Sequence, residues 1–115
     1  MDKIYEQTML FDFYGELLTD HQRSIYEDAL YNDMSLGEIA EERGISRQGV
    51  HDLIRRCDKI FQDYESKLHL VERFARAKET VSEIERLTAP KAAQTDVEER
   101  FERIKVLSRK LLEEL

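Results

Sequence analysis

The chain has 115 residues and a mass of 13.7 kDa, which fits one domain with at most a small appended element. With 41% hydrophobic and 37% charged residues, it is too charged for a membrane span and too apolar for a wholly disordered chain. Its 18 Lys and Arg residues against 25 Asp and Glu residues give a net charge of −7. Binding to a polyanion would therefore require a local basic patch.

Cysteine and histidine are too scarce to suggest a metal site or a disulfide framework. Cys57 is the single cysteine, and the histidines His21, His51 and His69 are far apart. We expect no metal, no cofactor and no enzymatic activity, because no constellation of nucleophile, base and orienting group is present. The chain shows no signal peptide and no apolar run near the ~20 residues of a membrane span, which predicts a cytoplasmic protein without membrane insertion.

The first predicted elements are two amphipathic helices. Apolar residues recur at helical spacing over residues 3–18, which predicts the first helix. Thr19 and Gln22 have the spacing of a capping box, so a second helix is expected over residues 20–32. Asn32 is a turn former that ends it.

The next segment has the spacing of a helix-turn-helix. Ser35 and Glu38 form a second capping box that opens a short helix over residues 36–43. Gly44 is suited to a left-handed C-cap, and Ser46 is the N-cap of the following helix. A joint of about three residues forces a sharp angle between the two helices.

The remaining chain is predicted to be helical as well. Apolar residues keep a three/four spacing over 50–89, which fits one very long helix or two halves that break near residues 66–69 and fold back. Pro90 interrupts the pattern, and the capping box Thr95–Glu98 opens a last helix over 97–115.

The whole pattern predicts an all-α protein. We predict a helix-turn-helix domain over residues 1–68 and a helical extension over residues 69–115 that packs on it or mediates oligomerisation.

One helix is locally basic in an acidic neighbourhood. Residues 1–35 carry a net charge of −6, whereas residues 46–60 carry +2. At about 100° per residue, Val50, Leu53, Ile54 and Cys57 share the inner face of this helix. The residues predicted to bind nucleic acid lie at the helix start or away from that face: Ser46, Arg47, Gln48, His51, Arg55, Arg56 and Lys59.

These side chains suit the major groove of DNA. Gln48 has the geometry to read adenine and Arg55 to read guanine. Arg47 and the backbone amides after Ser46 suit phosphate, as do Arg56 and Lys59. Because these four cations are few against a net charge of −7, credible DNA binding also requires a homodimer or a higher oligomer.

Asp52 is the departure from a strongly DNA-binding helix. It lies in the middle of the exposed stripe, where it would repel phosphate or tether Arg55 or Arg56. A helix-turn-helix can also serve protein contact alone, since fold does not fix function.

Several segments resemble known families. Leu18–Arg23, Ser35–Ala40 and Gly44–Val50 resemble the fourth conserved region of bacterial sigma factors. Tyr14–Thr19 and Val50–Arg56 resemble the YlxM family even more closely, and the likeness extends over roughly residues 1–75. These are small helix-turn-helix proteins whose genes neighbour that of the signal recognition particle GTPase. The resemblance implies a DNA-binding regulator linked to the signal recognition particle pathway, or else an adaptor that binds the GTPase or its RNA.

Overall fold

Capping residues set most of the helix boundaries in this chain. The computed structural model describes residues 2–89 and 96–115. Those residues form α-helices and one 3₁₀ turn and contain no strand: α1 Lys3–Tyr14, the 3₁₀ turn Gly15–Leu17, α2 Asp20–Leu30, α3 Leu36–Arg43, α4 Arg47–Leu68, α5 Leu70–Thr88 and α6 Val97–Glu114. The predicted all-α fold class is confirmed.

Two of the three predicted capping boxes are present. At the start of α2, the Gln22 N–H donates to the Thr19 hydroxyl at 3.1 Å, and the Thr19 N–H donates to the Gln22 side chain at 3.0 Å. Ser35 and Glu38 make the same reciprocal pair at the start of α3. The third box includes Thr95, which lies outside the described residues; the N-cap of α6 is Asp96, whose side chain accepts the Glu98 N–H at 3.3 Å.

The first helix is shorter than its predicted range of 3–18. It ends at Tyr14, and the chain tightens into a 3₁₀ turn before Leu18 becomes extended. Leu18 is nearly inaccessible to solvent and packs in the core, and the extended backbone at Leu18 leads into the N-cap Thr19. Space at the turn is limited, because a Cβ added to Gly15 would lie 3.1 Å from the Phe11 ring. Similarly, α2 ends at Leu30 rather than at residue 32.

The long apolar pattern after residue 50 is divided into two helices. His69 adopts a left-handed conformation with φ 56° between α4 and α5. The Glu65 carboxylate accepts a hydrogen bond from the Tyr14 hydroxyl at 2.6 Å and another from the Val71 N–H at 3.0 Å. The break between α4 and α5 is therefore stabilised by Tyr14 of α1. A pattern of apolar spacing along α4 and α5 gives no information on that contact.

The described part of the chain divides into two units. The first comprises residues up to Val71, and its side chains bury two apolar clusters. The members of the first cluster come from α1, α2, α4 and the approach to α2: Leu10, Tyr14, Leu18, Tyr26, Cys57 and Phe61. The members of the second come from α2, α3 and α4: Ile25, Ile39, Ala40 and Val50. Leu53 and Ile54 pack against both clusters, so α4 joins them into one core.

The second unit, Glu72–Leu115, is an antiparallel pair formed by α5 and α6. Arg103 pairs with Glu83 at 3.1 Å, and Arg100 donates to the Leu87 carbonyl at 3.4 Å. Leu107 is buried in this unit. A role for residues 69–115 in packing or oligomerisation stays a prediction.

Neither a membrane span nor a metal cluster is found in residues 2–89 and 96–115. No helix there has the length and apolarity needed to cross a bilayer. Likewise, these residues contain no group of three or more His, Cys, Asp or Glu side chains placed to hold a metal ion.

Candidate nucleic-acid interface

The predicted turn between α3 and α4 is present and depends on one glycine. Gly44 has φ 69° and ψ 32°, a left-handed conformation that a side chain disfavours. The N–H groups of Gly44 and Ile45 both bond to the Ala40 carbonyl, which closes the end of α3. Ser46 then caps α4 by accepting the Gly49 N–H at 2.9 Å. These contacts join α3 to α4 through the three residues Gly44, Ile45 and Ser46.

Small and apolar residues hold the two helices together. Ala40 is 7% exposed and Val50 is fully buried, and both pack with Ile25 and Ile39. A small side chain at Ala40 lets α4 approach α3 closely. Because Val50 and Cys57 are both fully buried, the opposite face of α4 turns outward.

All seven residues predicted to bind nucleic acid are exposed. We call the surface formed by these seven residues and the exposed Asp52 among them the α4 face: Ser46, Arg47, Gln48, His51, Asp52, Arg55, Arg56 and Lys59. The predicted orientation of α4 is therefore confirmed, with the apolar residues inside and these polar residues outside. Their part in binding stays a prediction.

Arg47 lies next to the first turn of α3. Its Nε is 3.7 Å from the point where a Cβ at Gly37 would be, so the arginine stem runs past this glycine. The guanidinium is thereby placed near the starts of two helices, capped by Ser35 and Ser46. Helix starts carry partial positive charge, so this corner of the α4 face is the best suited to a phosphate.

Asp52 contacts neighbours other than those predicted. It accepts a hydrogen bond from the Gln48 amide nitrogen at 2.9 Å, and its carboxylate lies 3.6 Å from His51 Nδ1. Sequence reasoning instead offered a tether to Arg55 or Arg56. The contact orients the Gln48 amide, because one of its two N–H donors is already used.

A second acid of this helix turns inward. Asp58 accepts the hydroxyl of the buried Tyr26 at 2.6 Å, and Gln7 reaches its other carboxylate oxygen at 3.5 Å. Burial and the hydrogen bond to Asp58 together raise the pKa of Tyr26. Four cations and Asp52 of residues 46–60 are exposed, so the α4 face itself carries +3, while the partly buried Asp58 brings the whole segment to +2.

A cation near this surface has a structural role that sequence reasoning missed. Arg43 bonds to Asp28 at 2.7 Å and to the Ser24 hydroxyl at 2.6 Å, which ties α3 to α2. Asn32 donates to the same carboxylate at 2.9 Å. The hydrogen bonds from Arg43 and Asn32 hold the pKa of Asp28 below its usual value. The sequence signal for this ion pair was the position of Asp28 on the side of α2 that is buried, where a carboxylate needs a partner.

The short α3, the three-residue turn and the outward polar face of α4 define a helix-turn-helix protein. Residues 1–103 match the model of the UPF0122 family, described as "Putative helix-turn-helix protein, YlxM / p13 like". The chain belongs to this family, as its resemblance to YlxM proteins predicted.

Relatives in several bacteria support the assignment. A UPF0122 protein of Acetivibrio thermocellus is 51% identical over 84 residues, which cover 73% of this chain and 72% of the relative. One of Shouchella clausii is 38% identical over 107 residues, which cover 93% of this chain and 98% of the relative. One of Streptococcus gordonii is 50% identical over 70 residues, or 61% of this chain and 64% of the relative.

Proposed function

We propose that this protein is a DNA-binding regulatory protein that reads the major groove with the α4 face and binds as a homodimer. The observation that carries the proposal is the +3 charge of that face, whose cations are all exposed. A helix that presents hydrogen-bonding and cationic groups at its start, held outward by a short turn, matches the way such proteins enter DNA.

The proposed roles follow from position along α4. Gln48 and Arg55 lie two turns apart and contact base edges, with Arg55 placed to pair bidentately with guanine. Arg47 binds phosphate beside the two helix starts, and Arg56 and Lys59 bind phosphates further along the groove. The hydrogen bond to Asp52 holds the Gln48 side chain ready, which reduces the entropy lost on binding.

The charge balance explains why a dimer is part of the proposal. Four cations neutralise at most about four phosphates, which gives a salt slope near −3.6 per chain. The residues up to Val71 contain 15 acids and 8 bases, a net charge of −7 that opposes the approach of DNA. Two chains on one duplex double the number of phosphate contacts and the slope.

The proposal is tested by selecting a duplex from a random pool and measuring its affinity by fluorescence anisotropy at ~0.15 M salt. Arg55→Ala should lose about 1–3 kcal/mol of binding free energy and relax the preference at one base pair. Lys67→Ala is the matched control, because it removes an exposed cation from the last turn of the same helix. Equal affinities of the wild type and Arg55→Ala would remove Arg55 from the site, and failure to select any duplex would contradict DNA binding.

One observation favours a second candidate function. Asp52 stands in the centre of the α4 face, which suits a protein partner with its own cations better than a polyanion. The alternative is an adaptor that binds the signal recognition particle GTPase or its RNA, a link that rests on the family resemblance. Pull-down at ~0.3 M salt separates a complex with either nucleic acid from an apolar complex with the GTPase, since phosphate-driven binding dissociates there and apolar binding persists.

A further inference from the structure

The second unit exposes apolar side chains along one side of α6. Phe101 is 67% exposed and Leu112 is 74% exposed, and they lie within about 20° of each other around the helix. Val97 is 53% exposed and lies one turn before Phe101 on the same side. The hydrogen bonds from α6 to α5 instead come from Arg100 and Arg103, and the buried Leu107 lies on the same side of α6 as these two residues. These three apolar side chains of α6 are thus left exposed.

The neighbouring helix exposes an apolar residue on the same side of the pair. Val81 is 49% exposed and follows the buried Thr80, which lies on the same side of α5 as Glu83, the partner of Arg103. Phe101 likewise follows Arg100, which contacts α5. Each is therefore rotated about 100° in the same sense from the line where the helices meet. In an antiparallel pair, equal rotations of the same sense bring side chains to one common side. We call this surface the hairpin face: Val81, Val97, Phe101 and Leu112.

The area of the hairpin face is that of an interface. With about 200 Å² for an aromatic side chain and somewhat less for the aliphatic ones, these four residues expose about 400 Å² of apolar surface. Since about 60% of an interface is apolar, this corresponds to about 650 Å² per partner and about 1,300 Å² in total. A total of that size lies at the lower end of the range for specific, stable complexes.

Charge identifies the occupant as a second copy of the chain. Residues 72–115 contain ten acids and ten bases, so the unit that carries the hairpin face is neutral, whereas the residues up to Val71 carry −7. A neutral surface of mixed signs has no field that would select a strongly acidic or strongly basic partner. It is instead the part of the chain on which two copies meet without long-range repulsion.

We propose that the hairpin face binds the same face of a second copy, so that α5 and α6 of two chains form an intermolecular four-helix bundle. Such an arrangement is isologous, with each apolar residue contributed twice. The inference rests on the homodimer of the proposed function and assigns it a surface. The hairpin face belongs to the second unit and shares no residue with the α4 face.

Sedimentation velocity of the full chain, from 1 to 100 μM, tests the interface. We expect the wild type to sediment as a dimer, at twice the 13.7 kDa chain mass. Phe101→Glu, Leu112→Glu and Val81→Glu should each raise the dimer dissociation constant at least 100-fold. Val106→Glu is the matched control, because Val106 is 54% exposed on α6 but lies about 140° from Phe101. Circular dichroism should show unchanged helix content, since every substituted side chain is at least 49% uncovered.

Two results would overturn the interface. One is a wild type that stays monomeric at 100 μM, which would assign the face to another partner. The other is a dimer that all three face variants leave intact while Val106→Glu breaks it. The anisotropy measurement separates this proposal from DNA binding. A dimer that binds no selected duplex contradicts the function and supports the interface. A DNA-binding monomer contradicts the interface and the homodimer, and it supports only DNA binding by the α4 face.

Discussion

Replacing Asp52 with asparagine should strengthen DNA binding, because Asp52 is the one acid that remains exposed among the charges of residues 46–60. The substitution removes a charge and little else. Asparagine keeps the side-chain oxygen that accepts the Gln48 amide at 2.9 Å, so the orientation of Gln48 is retained. Any change in affinity then reports the distance of the Asp52 carboxylate from the DNA phosphates.

The expected gain follows from Coulomb's law. A phosphate about 8 Å from the carboxylate is repelled by about 0.5–1 kcal/mol at an effective dielectric constant of about 40–80. Screening reduces this repulsion at ~0.15 M salt, and the contribution of a second phosphate offsets that reduction. We therefore expect about 2- to 5-fold tighter binding per chain, and about 4- to 25-fold for a dimer that places two α4 faces on one duplex.

Asp63→Asn provides the control for this measurement. Asp63 is exposed on the same side of α4, eleven residues later, so the net charge changes equally about 16 Å further along the helix. At that distance a charge near the duplex is largely screened at ~0.15 M salt. Fluorescence anisotropy on the selected duplex should show a gain for Asp52→Asn alone. Equal affinities of both variants and the wild type would place the phosphates elsewhere and refute the α4 face as the DNA-binding surface.

Three further predictions concern the stability and reactivity of the first unit. Asp28→Asn should lower the free energy of unfolding in urea by about 1.5–3 kcal/mol at pH 7. Because the pKa of Asp28 is lowered in the folded state, the stabilisation by its carboxylate is present above the unfolded pKa of about 3.9 and disappears as the pH falls through the folded pKa. An equal loss of unfolding free energy at pH 2 would contradict the ion pair with Arg43. Gly44→Ala should lower the free energy of unfolding by about 1 kcal/mol or slightly more through backbone strain alone, since no atom lies within 4 Å of the added Cβ. Gly44→Asn should lower it by less, because asparagine tolerates the left-handed conformation better than alanine does. Equal thermal stability of the wild type and both variants would exclude strain. Burial raises the pKa of Cys57 to about 11 and covers its thiol. We therefore expect Cys57 to react with Ellman's reagent at pH 8 only when the chain unfolds, at a rate that rises with urea concentration. Fast reaction in buffer without urea would place the thiol at the surface.

Features that depend on short-range interactions were predictable from sequence. The capping boxes at Thr19 and Ser35 join residues three apart, and the Gly44 turn follows from a glycine between two periodic segments. The outward orientation of the α4 face follows from angular spacing on a regular helix. Each of these features is encoded within a few consecutive residues, so no knowledge of the tertiary structure was needed.

Features that join distant residues were not predictable. The Tyr14 hydroxyl and the Glu65 carboxylate are 51 positions apart, and their bond helps decide where α4 ends. Tyr26 and Asp58 are 32 positions apart, and their bond holds the Asp58 carboxylate on the inner side of α4, away from the α4 face. A pattern of apolar spacing contains no information on which distant polar groups meet. The helix break and the true charge of the face therefore required the structure.

The uneven spread of charge within the first unit explains how an acidic chain can offer a basic surface. At ~0.15 M salt the screening length is about 8 Å, so a phosphate at the α4 face responds to the +3 charge beside it more than to distant acids. The net charge of −7 then acts mainly against non-specific association, where contacts are loose and few. A duplex that fits two α4 faces gains twice the local attraction together with its base contacts. The acidic background thus increases the difference between specific and non-specific DNA, provided that two chains act together through a neutral surface.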